Sequence, residues 1–458
     1  MSPKRAGRLT GLVLAAVLAA AIGIPASPGH ADAVAHYSGT LADGATWIGD
    51  VPSGWNGTLL LFSHGFGPLV AQDAPTPDAA TALLGEGFAL AGSSYAPGSW
   101  WALGSAESDQ FATIAAFDDA VGTPRRVISV GESMGGLVNA EIAADGAGRV
   151  DGALNLCGLV AGGADLNNYQ LNAEYAISAL LAPGQDIQLL NLPSAAAGAA
   201  SGNELAAVVQ AAQASPQGRA RVALASALLN QSDWAPGQAP PEPADYDGQE
   251  AQQYDWLIQN GVFQFIQFGR YYIELAAGGD SSSNAGVDYA RLLRHSAHLN
   301  EVLALYREAG LSLGADLATL DRGANVHGSR NALQWMLHTS VPTGRLTVPL
   351  LDLHTIADQL VPVEQENQFA ARVRAAGAVV LFRQAYVKRQ LHCNFTTAEI
   401  VAGVHATIHR VRTGHWDDAA TPQSLQREAE ALNLGGAAFM PYRPAQLVVQ
   451  APLPVNHR

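Results

Sequence analysis

Apolar and polar positions change their rhythm twice along this chain. From residue 34 to about 159, short apolar runs alternate with stretches of helical period. HYSGTLADGATWIGDVPSGWNGTLLLFSHGF contains two or three strand-like runs broken by Asp-Gly, Pro-Ser-Gly and Asn-Gly turns. FALAGSSYA (88–96) and RRVISV read as buried strands, and ESDQFATIAAFDDAVG (107–122) has a helical apolar period closed by a glycine. A helix from about Met134 to Ala144 and a strand in VDGALNLCG (150–158) follow.

Between about Val160 and Thr347 the strand rhythm stops. Ala- and Leu-rich helical patterns such as NELAAVVQAAQ and ARLLRHSAHLNEVLALYREAG replace it, interrupted by the Pro- and acid-rich WAPGQAPPEPADYDGQE. Alternation then resumes with VPLLDLH (348–354), a helix from about Glu364 to Ala376, AVVLFRQAYV (378–387) and a helix beginning near Thr396. Thr396 and Glu399 stand at capping-box spacing, so each satisfies a free amide at that helix start. Repeated strand and helix alternation predicts an α/β fold with a mostly parallel central sheet flanked by helices. Residues 34–159 and 346–458 would form that core, and 160–345 a large helical cap over the sheet's mouth. The segment after Trp416 is expected to wrap the core.

The first residues belong to neither part. Lys4, Arg5 and Arg8 precede the apolar LTGLVLAAVLAAAIGIPA, and small residues follow, the order of a secretory signal over residues 1–33. The apolar run is short for a bilayer span and Pro25 and Pro28 follow it, so a secreted, extracellular protein without stable membrane association is expected. Lys and Arg number 25 against 40 Asp and Glu, a net charge of −15, which argues against nucleic acid as a partner. At 458 residues and 48% hydrophobic composition, the chain can bury a substantial core around an insertion.

The chemistry concentrates at RRVISVGESMGGLVNAEIA (125–143), where Gly131-Glu132-Ser133-Met134-Gly135 lies between a strand and a helix. A serine hydroxyl is a weak nucleophile, so it needs a base, a group orienting that base, and donors for the oxyanion that forms. Gly-x-Ser-x-Gly on a strand-turn-helix gives the serine an exposed, strained corner, with glycines that let strand and helix approach. Ser133 is therefore the candidate nucleophile. Asp358 lies past a strand end in HTIADQLVP and is the candidate acid; Asp352 sits inside PLLDLH, and Glu364 and Glu366 fall within the next helix. His392, on the short loop KRQLHCNFT after the last strand, is the candidate base among 13 histidines. His405 and His409, one turn apart on the final helix, fit its surface.

The ordered set LLLFSHGFG, VGESMGG, HTIADQLVP and LHCNFT resembles the α/β-hydrolase superfamily over nearly all the chain outside the helical insertion. Within it, the exported character and the His-Cys pair are similar to secreted esterase-type hydrolases, such as the tannase and feruloyl esterase group and polyester depolymerases. The resemblance implies the order nucleophile, acid, histidine. It also implies an oxyanion hole from the backbone amides of Met134 and Phe66, with Gly67 close behind and His64 structural.

Cys157 ends the strand after the nucleophile's helix and Cys393 follows the proposed base, which puts both at one sheet edge. A disulfide there would pin the histidine loop and, by the entropy model, stabilise by very roughly 4 kcal/mol. Tannase-like enzymes tie the histidine's neighbouring cysteine to one adjacent to the nucleophile, where this chain has Glu132, so that correspondence is partial. No His/Asp/Glu cluster has metal spacing, and neither metal nor cofactor is expected. Trp100 and Trp101, with the aromatics at Tyr254, Trp256, Phe263, Phe265, Phe268, Tyr271 and Tyr272, would line a cleft for aromatic or apolar substrates or form the cap's own core. The expected activity is serine carboxylic ester hydrolysis on a small-molecule or polymeric ester, the alternative being a secreted peptidase or amidase of the same fold. Oligomeric state is not legible.

Overall fold

The computed structural model describes residues 33–450. The secretory-signal expectation, but for its last residue, lies outside them. Nine strands form one sheet: β1 (Val34–Thr40), β2 (Thr46–Pro52), β3 (Thr58–Ser63), β4 (Ala89–Ser93), β5 (Arg126–Glu132), β6 (Gly152–Leu156), β7 (Leu350–Ala357), β8 (Phe382–Gln390) and β9 (Phe439–Met440). Their spatial order is β1-β2-β4-β3-β5-β6-β7-β8-β9. Neighbours from β4 through β8 run parallel, whereas β1, β2 and β9 pair antiparallel at the edges.

Successive strand residues face opposite sides, and a parallel sheet covered on both faces must be apolar on each. In β3 every residue is buried. Leu59 and Leu61 enter one core, which continues into the helices inserted after β6, while Leu60 and Phe62 enter the other. The covering helices are α1 (Pro77–Gly85), α2 (Ala106–Val121) and α3 (Met134–Asp145) in the first half of the chain.

Nine helices and no strand separate β6 from β7. They are α4 (Gly163–Leu181), α5 (Ala195–Ala212), α6 (Pro216–Leu229), α7 (Tyr246–Gln259), α8 (Val262–Ala277), α9 (Tyr289–Arg294), α10 (Leu299–Glu308), α11 (Leu313–Gly323) and α12 (Arg330–Thr339). Gly198 and Gly202 of α5 meet the backbone of α8 so closely that a methyl at Gly202 would stand 2.6 Å from the Phe263 carbonyl oxygen. Inside the cap, Arg270 pairs with Glu174 at 2.7 Å, both fully buried.

After β7 come α13 (Glu364–Ala375), α14 (Thr397–Thr413) and α15 (Pro422–Leu432). The Thr396 side chain and Glu399 close the capping box of α14. Residues 379–381 form a 3₁₀ turn, so β8 begins at Phe382; Val379 and Val380 are exposed and anchor no strand. The C-terminal segment does more than wrap, since β9 adds an edge strand to β8. Beyond it the chain crosses to the cap, where the Val448 amide donates to Asn230 Oδ1 at 2.7 Å and Asn230 Nδ2 donates to the Val448 carbonyl.

Candidate active site

Three chain segments end at one rim of the sheet. Between β5 and α3, Ser133 has φ 57° and ψ −121°, a conformation rare for a residue with a side chain and held by its surroundings. Its amide donates to the Leu156 carbonyl at 3.0 Å, and its own carbonyl accepts from Gly136 and Leu159. The two motif glycines are sterically required. A methyl on Gly131 would collide with the Gly135 carbonyl, and one on Gly135 with the Ser63 carbonyl.

His392 lies between β8 and α14, flanked by Leu391 at φ 77° and Cys393 at φ 52°. Leu391 donates its amide to Ala357 at 3.0 Å, Thr355 Oγ1 donates to the Leu391 carbonyl, and Cys393 forms a disulfide with Cys157 with Cα atoms 5.3 Å apart. The histidine loop is thus pinned to the ends of β7 and β6. The one His/Cys/Asp/Glu grouping compact enough for a metal ion among the described residues is Cys157, His392 and Cys393, and its sulfurs are the disulfide's.

Asp358 directly follows β7 and is buried. His392 Nδ1 donates to its Oδ2 at 2.7 Å, and Ser133 Oγ lies 2.8 Å from His392 Nε2, placed to donate its proton. Oδ1 of Asp358 accepts the amides of Leu360 and Val361, both at 2.9 Å. Burial would raise the Asp358 carboxyl, but His392 and His354 outweigh it and hold the group well below the usual carboxylate range. Of the sequence's alternative acids, Asp352 is a buried carboxyl in β7. Burial and the neighbouring Glu366 push it upward, away from the ionised form an orienting acid needs.

His354 had no signal in the sequence beyond standing four residues before Asp358. Fully buried, it faces Glu366 Oε1 at 2.9 Å through Nδ1, and Nε2 donates to the Val361 carbonyl at 2.9 Å with Asp358 Oδ2 3.6 Å away. Burial opposes its charge, yet Asp358 and Glu366 prevail and raise His354 well above the usual histidine value. His354, pushed towards its charged form behind Asp358, thereby favours ionisation of that carboxylate. Glu132, preceding the nucleophile, is raised to about 7 by burial, against the pull of His392.

The oxyanion candidates come from two segments. Met134 is the first residue of α3 and carries its amide at a helix N-terminus. Gly65, before Phe66, approaches so closely that a methyl there would lie 3.1 Å from Ser133 Cβ. His64 is buried, kept below its usual pKa by burial, and stacks on Tyr95 with ring centroids 4.2 Å apart. Phe66 and Trp101 line a cavity with Ser133 and His392 whose remaining walls are mostly apolar, with Gln170 the one polar side chain among them. Trp100 is not in that lining. It stacks on Tyr272 at 4.6 Å, in a cluster with Phe268 that surrounds the Phe66 ring. Of the cap aromatics, Trp256 and Phe263 are buried as cap core, whereas Phe265 is exposed at the cavity.

A mostly parallel sheet in this strand order, with a serine on the β5–α3 corner and an acid and a histidine after the last two parallel strands, is an α/β-hydrolase. The chain is 30% identical over 433 residues to the o-phthalyl amidase of Xanthobacter agilis, covering 87% of this chain and 92% of that protein, and it belongs to the same family. No family model matches. Solved structures similar to this chain include an esterase of Pyrococcus furiosus, with TM-score 0.36, 11% identity and coverage of 84% of this chain and 90% of that one. Feruloyl esterase B of Aspergillus oryzae aligns with TM-score 0.40 and 10% identity, covering 83% and 80%. The strand order, rather than these alignments, defines the fold.

Proposed function

We propose that this protein is a serine hydrolase that opens an amide of an aromatic carboxylic acid, and the corresponding esters, through an acyl-enzyme on Ser133. The observation that carries the reading is the continuous hydrogen-bonded path from Ser133 Oγ through His392 to Asp358, at 2.8 and 2.7 Å. His392 takes the Ser133 proton as Oγ attacks the carbonyl carbon, and the Met134 and Phe66 amides receive the oxyanion. The tetrahedral intermediate collapses with breakage of the carbonyl–nitrogen or carbonyl–oxygen bond. His392 returns the proton to the leaving amine or alkoxide. Water, deprotonated by His392, then attacks the acyl carbon and frees Ser133.

The family relationship favours an amide of an aromatic acid over the ester first expected from sequence. The apolar lining beside Ser133 is consistent with an aromatic acyl group. Export is part of the proposal, supported by the disulfide and by the signal-like first residues; among the described residues no helix is long and apolar enough to cross a membrane. Matched benzoyl anilide and benzoyl aryl ester substrates test the reading. Turnover of both, lost in Ser133→Ala, is expected, and turnover of the ester alone would return the protein to the esterases.

A further inference from the structure

A second cavity, of about 390 Å³, lies at the seam between cap and core and shares no lining residue with the one beside Ser133. The cap supplies Gln231 and Asp233 from the loop after α6, and His298 and Glu301 from the start of α10; the core supplies Asp358 and Glu364. Among the described residues no lysine or arginine lines it. Lys388 lies over the ring of Trp234, next to Asp233 in sequence, and stays outside the lining.

Two of these acids have their charges met. Asp358 faces His392 and His354, and Glu301 faces His298 at 3.0 Å. Asp233 and Glu364 have no ion-pair partner among the described residues. Burial pushes the carboxyls of Glu364 and Glu301 above their ordinary value, and the charge of Asp233 pushes each the same way. Crowded acids alone would make no site. What makes this one a site is Gln231, 1% exposed, whose Oε1 and Nε2 both lack a hydrogen-bond partner. Oε1 of the equally buried Glu301 lacks one too. Unmet buried acceptors beside carboxylates without a counter-ion are costly, and a bound group that donates N–H bonds and carries positive charge offsets both.

No three acidic or imidazole groups of this cavity stand compactly enough to hold a bare metal ion. The occupant that fits is broader, and Tyr246 and Tyr442 give it aromatic walls. We infer that the seam cavity is a binding site for a primary organic ammonium, whose N–H groups meet Gln231 Oε1 and the Asp233 and Glu364 carboxylates while its apolar tail packs against the two tyrosines. An amine released by amide hydrolysis belongs to that class, and the site does not depend on that reaction.

Isothermal titration of the full chain with benzylammonium tests this, with benzyl alcohol as the neutral isostere. The titrations use protein whose Ser133 carries a fluorophosphonate adduct, so that the cavity beside it is blocked. If Ser133 does not label, the hydrolase reading fails and the same titrations on the free chain still decide the seam site. One benzylammonium should bind per chain, with benzyl alcohol at least about tenfold weaker. Asp233→Asn and Gln231→Leu should each weaken the ammonium by about tenfold or more, the worth of a charge-assisted hydrogen bond, and Gln231→Met replaces the leucine variant if that one folds poorly. Equal binding of alcohol and ammonium, unchanged affinity in both variants, or binding of calcium ion with none of benzylammonium would overturn the inference.

Discussion

Asp358 grips His392 with one carboxylate oxygen and the backbone with the other: Oδ2 lies 2.7 Å from His392 Nδ1, while Oδ1 accepts the amides of Leu360 and Val361. The imidazole is oriented by an acid that is itself fixed.

Asp358→Asn keeps the Oδ1 acceptor for those two amides and puts a neutral group before His392 Nδ1. The fold should survive with kcat reduced about 10³–10⁴-fold, because the wrong tautomer is stabilised. Steady-state kinetics beside a circular dichroism spectrum check this; a loss under tenfold would remove Asp358 from its role.

The disulfide ties the histidine loop to the end of β6. Replacing both Cys157 and Cys393 with serine should lower stability by about 2–4 kcal/mol. Freed from its tether, His392 should also lose alignment, with a fall in kcat of up to about 10²-fold. Denaturant unfolding and kinetics of the double variant measure the two effects; undiminished values of both would leave the disulfide without either role.

Stability should peak in mildly acidic solution. Burial raises Asp109, Glu132 and Glu250 to about 7 each, with Asp43 adding to the rise of Asp109. From about pH 4.5 to 7 the native state then binds more protons than the unfolded chain, so stability falls as pH rises. The raised His354 acts in the same direction, its contribution complete below about 6.5 and lost as pH climbs through its folded value. The lowered Asp358 acts oppositely, stabilising above about 3.9 and losing that contribution as pH falls further. The melting temperature should therefore be highest near pH 5 and decline towards pH 8, and scanning calorimetry across that range would expose a rise instead.

Much of the site was legible because its signals are local. The Gly131 to Gly135 motif specifies its own corner, and Asp358 and His392 stand where strands end, so sheet order alone brings them near Ser133. Elsewhere local pattern misled. The apolar Val379 and Val380 read as strand yet are exposed in a 3₁₀ turn, and the pairing of β9 with β8 depends on tertiary contact that two residues cannot announce. His354 was invisible for a related reason. It matters through Asp358, which faces it across the fold, and it sits in no pattern of its own.

The central claim is that His392, held by Asp358, activates Ser133. Fluorophosphonate labelling followed by peptide mapping measures this most directly. The account predicts one label per chain, on Ser133, forming rapidly in wild type and slowed by several orders of magnitude in His392→Ala. Labelling of another residue, or equal rates in the two proteins, would contradict it.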